Sequence, residues 1–401
     1  MFPAHHSQHS RSRGHVPRPV FRALRAIRVE ILPLAMAFTS IAAYAQDSTR
    51  IDSSSAARIK AKPSAGEAGP GYPVDPTTII DMSGTTRTPQ LSGYIAARGD
   101  RLDGETGFSI YLARLAVVTA PKPFLAVRVQ ADFSSGQTGR LRSDSTISGF
   151  SLTDAYVQLV LPPKLAPKGS TFDRLDPSMI VGQFITPFSL EYLSPTAMLK
   201  TFGLAQADTR LAPKRDIGAQ ANVGWNRLVT LSAALVNGAG PNATSNDDRG
   251  VMVLSRLTVT PLPWLEAAGT IERQETDHAW GFDARAVWRG FTLEGEDIHR
   301  KRPTTKTVFT DGGGGYVLVA YKLTKWLEPV YKYDRYYDTR FTYVNQSTTT
   351  VARSSDTWNI IGVNILTSPE WLRVQLDYNR RNEKPAPGRT NEFVAQVVAI
   401  F

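Results

Sequence analysis

The chain has 401 residues, 46 of them basic against 36 acidic, and no cysteine. The missing cysteines exclude a disulfide framework and any thiolate metal site. No apolar run after the first 45 residues approaches the length of a membrane-crossing helix, so a membrane could be crossed only by strands.

Residues 1–45 read as a leader. Six arginines (Arg11, Arg13, Arg18, Arg22, Arg25 and Arg28) precede an apolar run from Ile31 to Ala42 that ends in Ala43-Tyr44-Ala45. This is the pattern of a secretory signal peptide cut before Gln46. A single membrane helix is the rival reading, but the run is too short to span and Pro33 interrupts it. Without the leader the balance is 40 basic to 35 acidic residues, so the basicity does not point to nucleic acid. Residues 46–89 are rich in Ser, Ala, Gly and Pro, with Pro63, Pro70, Pro73 and Pro76 too close together for a helix. They predict a disordered arm.

From Gln90 the sequence becomes a series of alternating segments of about ten residues, the length of a tilted strand across a bilayer. Sixteen are counted: 90–98, 107–118, 124–133, 150–161, 178–185, 215–224, 228–236, 250–260, 264–273, 279–289, 291–300, 315–323, 327–337, 356–366, 371–381 and 390–401. Short links (119–123, 225–227, 261–263, 289–290, 324–326, 367–370) alternate with long polar ones (134–149, 237–249, 301–314, 338–355); 162–177 is long where a short one is due. Sorting by parity of this kind belongs to outer-membrane barrels, with short turns on the periplasmic rim and long loops outside. All seven tryptophans (Trp225, Trp264, Trp280, Trp288, Trp326, Trp358 and Trp371) fall at strand ends, where an amphipathic ring would meet a bilayer interface. The last strand alternates Phe393, Ala395, Val397, Ala399 and Phe401 on one face. Left open in water it would be an aggregation edge; closing a barrel removes that edge.

Strand parity also assigns an inner wall, as in AVRVQADF, where Val127 and Val129 face out while Arg128 and Gln130 face in. The inward basic set is Arg98, Arg114, Arg128, Arg256, Arg285, Arg289, Arg300, Lys322, Lys332 and Arg373. The inward acids are Asp132, Asp154, Glu266, Glu272, Asp283, Glu294, Glu296, Glu328, Asp334 and Asp377. The two sets balance, so the wall alone predicts little ion selectivity. The reading is an all-β transmembrane antiparallel barrel of about sixteen strands over 90–401, with a hydrated interior.

One link does not fit a hairpin. Residues 186–214 are too long for a turn and too apolar for an exposed loop, carrying Phe188, Leu190, Leu193, Leu199 and Phe202. Folding into the barrel would bury them and constrict the lumen. The same fold brings Lys200, Arg210, Lys214 and Arg215 inward as a candidate anion-binding constriction, with anchoring salt bridges as the alternative role for the four cations.

Several stretches resemble the phosphate-selective porin O and P family: VGQFITPFSLEYL at 181–193, APKRDIGAQ at 212–220, NGAGPN at 237–242, and YKLTKWLEPVYKYDRY at 321–336. The resemblance covers roughly 90–401. It implies a trimeric sixteen-stranded channel in bacterial outer-membrane lipid for small anions such as phosphate, with no cofactor. The terminal Phe401 is similar to the signal by which the barrel-assembly machinery reads such proteins. A hydrolytic barrel is disfavoured, because past the leader only His278 and His299 remain and neither has a serine in a nucleophile setting. Gly312–Gly315 is not a phosphate loop, since no Lys-Ser/Thr follows it. A non-conducting structural or adhesive barrel is the alternative function.

Overall fold

The computed structural model describes residues 88–102, 104–122, 124–134, 150–160, 174–226, 228–243, 246, 250–303, 308–344, 347–367, 371–385 and 388–401. The signal-peptide assignment (1–45), the arm (46–89, but for Thr88 and Pro89) and most of the long link, residues 162–173, lie outside the described residues.

Among the described residues sixteen strands are present. They are β1 Gln90–Leu102, β2 Glu105–Lys122, β3 Leu125–Asp132, β4 Ser151–Val160, β5 Leu175–Ile185, β6 Arg215–Trp225, β7 Val229–Val236 and β8 Met252–Leu262, followed by β9 Leu265–Gln274, β10 Asp277–Trp288, β11 Phe291–Pro303, β12 Val308–Tyr321, β13 Leu327–Val344, β14 Ser347–Leu366, β15 Leu372–Lys384 and β16 Gly388–Ile400. Each pairs antiparallel with its sequence neighbours, and β16 pairs with β1 to close the barrel. The chain end takes part in the closure: Gly93 N donates to Phe401 O at 2.8 Å and Phe401 N to Gly93 O at 2.9 Å. The open edge expected of a terminal strand is thereby satisfied.

Period-two alternation holds around the wall. In β16, Phe393, Val397 and Phe401 face out and are exposed, whereas Glu392, Val394, Gln396 and Val398 face in. Six tryptophans point outward with 39–55 % of their surface exposed, as a girdle requires. Trp358 corrects the expectation for the seventh. It shares the inward parity of Asp356 and Asn364, and the Arg381 guanidinium lies 4.1 Å from its ring centroid. Position near a strand end does not reveal which face the ring takes; parity does.

Two of the expected long loops are mostly strand. Residues 338–344 and 347–355 extend β13 and β14 to 18 and 20 residues, paired as far as Val344 with Ser347. Residues 301–303 and 308–314 likewise extend β11 and β12, paired as far as Pro303 with Phe309. Thr, Tyr and Val in FTYV and STTTVA favour pleated backbone. The apolar-polar alternation of the sequence fades over these residues while the strand pairing continues.

Between β5 and β6 the chain enters the barrel. It forms α1 (Leu190–Leu193), a 3₁₀ turn (Thr196–Met198) and α2 (Gln206–Leu211). Phe188, Leu190, Leu193, Ala197, Leu199, Ala205, Ala207 and Leu211 are all buried. Each large apolar side chain taken out of water contributes about 1.5–3 kcal/mol. The α2 helix lies against β11, β12 and β13. Gly312 of β12 gives it room, since a Cβ there would stand 3.0 Å from Leu211 Cδ2 and the leucine would have to give way.

Candidate functional site

The inward segment is fastened to the wall by charged and polar side chains that strand parity turns inward. At α1, Leu190 N donates to Glu296 Oε2 at 3.0 Å. Glu191 is buried and pairs with Lys332 of β13 at 2.5 Å, and its other oxygen accepts from Ala205 N at 2.6 Å. At α2, Gln206 N donates to Asp334 Oδ2 at 2.9 Å, and Arg300 Nη1 donates to the Leu211 carbonyl at 2.8 Å. Ion pairs at this depth gain strength from low dielectric but must offset a large desolvation cost, so removing one partner costs about 3–5 kcal/mol.

A second set of contacts forms a row across five strands. Backbone register aligns Arg98 of β1 with Gln396 of β16, Gln396 with Gln375 of β15, Gln375 with Asn364 of β14, and Asn364 with Glu328 of β13. All five side chains face inward and are buried. Residues 199–202 run along this row. Gln375 Nε2 and Arg373 Nη1 donate to the Leu199 carbonyl at 2.7 and 3.0 Å, and Asn364 Nδ2 donates to the Lys200 carbonyl at 2.9 Å. Phe202 N donates to Asp377 Oδ2 at 2.7 Å.

The four cations expected at the constriction do not gather. Lys200 pairs with Glu328 at 2.8 Å. Arg210 pairs with Asp356 at 2.6 Å and lies over the Tyr336 ring at 4.4 Å. Since Glu328 aligns with Asn364, eight residues along β14 from Asp356, these anchors are separated by about 27 Å at the usual strand rise. Arg215 pairs with Asp154 at 2.7 Å on β4, seven strands round the wall from β13. Lys214 is exposed. Three of the four therefore act as anchors. Sequence supplies their sign but not their partners, which lie 61 to 146 positions away and meet them only once the barrel closes.

Of the seven wall cations, Arg98, Arg128, Lys332 and Arg373 are buried on the inner face. Arg114 pairs with Asp132 at 2.8 Å, Arg128 with Asp154 at 3.3 Å, and Arg285 with Glu294 at 2.9 Å. Arg289 is a correction. It stands in the turn after β10 at φ 49°, exposed, with its guanidinium 4.7 Å from the outward Trp288 ring. Strand parity ceases to apply one residue before it, where the strand ends. Residues missed from sequence are Ser189, Glu191 and Asp208, which form the buried centre of the anchor. Their signal was polar residues amid a run otherwise apolar enough to be core.

With this geometry in view, the fold can be placed. No family model matches the sequence, and no curated protein matches it. Solved structures do share the fold. An anion-selective porin from Comamonas acidovorans superposes with TM-score 0.56 at 11% identity, covering 78% of this chain and 99% of that one. OmpT, an outer membrane protein of Vibrio cholerae, in its trimer form gives 0.55 at 11% over 78% and 99%. The outer membrane channel DcaP of Acinetobacter baumannii gives 0.53 at 12% over 78% and 97%. The chain has the closed sixteen-strand antiparallel fold of the outer-membrane porins.

Proposed function

We propose that the protein is an outer-membrane porin, a channel through which small ions and solutes diffuse passively. In this reading the leader exports the chain, Phe401 presents it to the barrel-assembly machinery, and the apolar outer face meets outer-membrane lipid. The observation that carries the reading is the combination of an apolar, tryptophan-girdled exterior with a charged inner wall onto which one internal segment is bolted. A soluble barrel would not expose Ile271, Phe282, Leu293 and Ile361 at 52–64 % on its outer face. A homotrimer is the proposed assembly, supported by the trimer form of the Vibrio cholerae relative in fold. No catalytic role and no cofactor are part of the proposal.

Small anions, phosphate among them, are the proposed permeants, on the resemblance of residues 181–193 and 212–220 to phosphate-selective porins. Balanced wall charge and the pairing of Lys200, Arg210 and Arg215 limit the expected preference to a modest one. The reversal potential of purified protein in a planar bilayer under a KCl gradient tests this. Ohmic steps with a weak anion bias are expected; strong cation selectivity overturns the proposed permeants. One feature favours a second reading, a non-conducting barrel: inner-face Gln158, Asn364 and Lys332 have no exposed surface. Absence of conductance in the same measurement decides for it.

A further inference from the structure

Strands β13, β14, β15, β16 and β1 are neighbours round the wall, and they divide their charges between its two faces. Every acid in these five strands, from Glu328 of β13 to Asp100 of β1, has inward parity. Six cations have outward parity and are exposed: Arg335, Arg353, Arg380, Lys384, Arg389 and Arg101. None of the six forms an ion pair among the described residues. On the adjoining side the outward acids are Asp297 of β11, which bonds His299 at 2.8 Å, and Asp311 of β12. The outer face of the five strands therefore carries six positive charges and no negative one.

The cations begin where the apolar stretch ends. On β15 the outward residues run Leu372, Val374, Leu376 and Tyr378, then Arg380; on β16, from the chain end, they run Ala399, Val397, Ala395 and Phe393, then Asn391 and Arg389. From Leu372 to Arg380 is about 27 Å of strand at the usual rise. At a 45° tilt that crosses about 19 Å of bilayer, and a snorkelling arginine covers the remainder of an apolar band about 25 Å tall. Arg380 faces Asn391 in register, so Arg389 is its diagonal neighbour, about 7–8 Å away. Two guanidinium groups this close with no acid between them repel, and one phosphate accepting from both removes the repulsion. Asn359 of β14 faces Arg380 from the other side; its Oδ1 accepts from Tyr331 at 3.0 Å, so its amide nitrogen remains as a further donor. Directly below lie Ile361, Tyr378 and Phe393, exposed at 61, 44 and 48 %. A free phosphate would meet only the cations, whereas a lipid meets the cations with its headgroup and the apolar wall with its chains. The rim concerned is the one opposite the short turns, which loop parity assigns to the outside. We propose that the outer face of β13–β16 and β1 is a docking surface for an anionic, phosphate-bearing lipid of the outer leaflet, its phosphate held between Arg380 and Arg389. The proposal rests on the outer-membrane reading above, which cell fractionation tests by itself.

The test compares two lipids with the same chains, dioleoyl phosphatidic acid and dioleoyl phosphatidylcholine, titrated into the purified full chain in dodecyl maltoside. Bound lipid is counted by native mass spectrometry, which needs no conductance and so stands apart from the channel measurement. Wild type should bind phosphatidic acid more tightly than phosphatidylcholine by about tenfold or more. The double variant Arg380→Gln/Arg389→Gln should bring the two lipids to within about threefold, while its heat-modifiable migration shows that the barrel is folded. Arg273→Gln, outward on β9 and outside the five strands, should keep the wild-type preference. Inorganic phosphate at the concentration of the lipid should not displace it. Equal binding of the two lipids by wild type, an undiminished preference in the double variant, or displacement by inorganic phosphate overturns the assignment. So does a face covered by a second copy, which would show as no lipid preference in wild type and a loss of oligomer mass in the double variant.

Discussion

Ser189 holds a backbone conformation unusual for serine, φ 66°, and is completely buried. A strained residue persists only where its surroundings over-determine it, and here they do. Ser189 Oγ accepts from Tyr192 N at 3.1 Å and lies 2.6 Å from Asp208 Oδ1 and 3.3 Å from Glu296 Oε2. A hydroxyl carries one hydrogen and cannot donate to both carboxylates. Burial, reinforced by Glu296 and Glu191, raises the Asp208 carboxyl well above the ordinary aspartate range. Protonated Asp208 would donate to Ser189 Oγ and leave the serine hydrogen for Glu296. A carboxyl raised in the folded state stabilises the fold fully below its unfolded pKa, and that contribution is lost as pH rises through the folded pKa. Thermal stability in detergent should therefore fall as pH climbs from the ordinary aspartate value through the raised one, by up to about 1.4 kcal/mol for each pH unit between the two. Asp208→Asn, whose amide donates to Ser189 at every pH, should flatten that slope; a mutant slope as steep as wild type would refute the protonated anchor.

At the scale of elements, the strands were legible and the anchored segment only in outline. Period-two alternation marked all sixteen strands, because a closed wall with an apolar outer face and a polar inner one repeats the same choice at every step. Over 338–344 and 347–355 the sequence loses that alternation, and the stretch looked like loop for that reason. The length and apolar content of 186–214 gave its inward course. They could not give the pairing of Lys200 with Glu328 or Glu191 with Lys332, since those partners are set by barrel register and segment path. Two outcomes follow for this element. Deleting 191–207 should raise single-channel conductance severalfold while the barrel still shows heat-modifiable migration; unaltered conductance would mean the segment does not obstruct the lumen. Lys200→Gln leaves Glu328 buried and unpaired, so it should lower stability by roughly 3–5 kcal/mol and move the reversal potential toward cations, and a variant as stable as wild type would show that the pair is not an anchor.

On the scale of the whole molecule, what remains is which rim faces outward. Parity of loop length carried the orientation in sequence, and in the folded chain strand length supports it. β13 and β14 run 18 and 20 residues, about twice the 9–11 needed to cross a bilayer, and all of the excess lies beyond the rim opposite the turn at 323–326. The chain end is on the short-turn rim, where Ile400 N donates to the Trp371 carbonyl at 2.8 Å. Trp225, Trp264, Trp288, Trp326 and Trp371 mark the same rim. A strand that enters from the periplasm leaves short turns there and can extend its far end freely into the medium, so the long rim should be extracellular. The native chain has no cysteine, and a single introduced thiol therefore reports one place. Pro241→Cys, in the exposed link after β7, should react in intact cells with a membrane-impermeant maleimide. Leu262→Cys, at the turn between β8 and β9, should react only after the outer membrane is opened. Labelling of Leu262→Cys but not Pro241→Cys in intact cells would invert the barrel and, with it, the side from which solutes first meet the anchored segment.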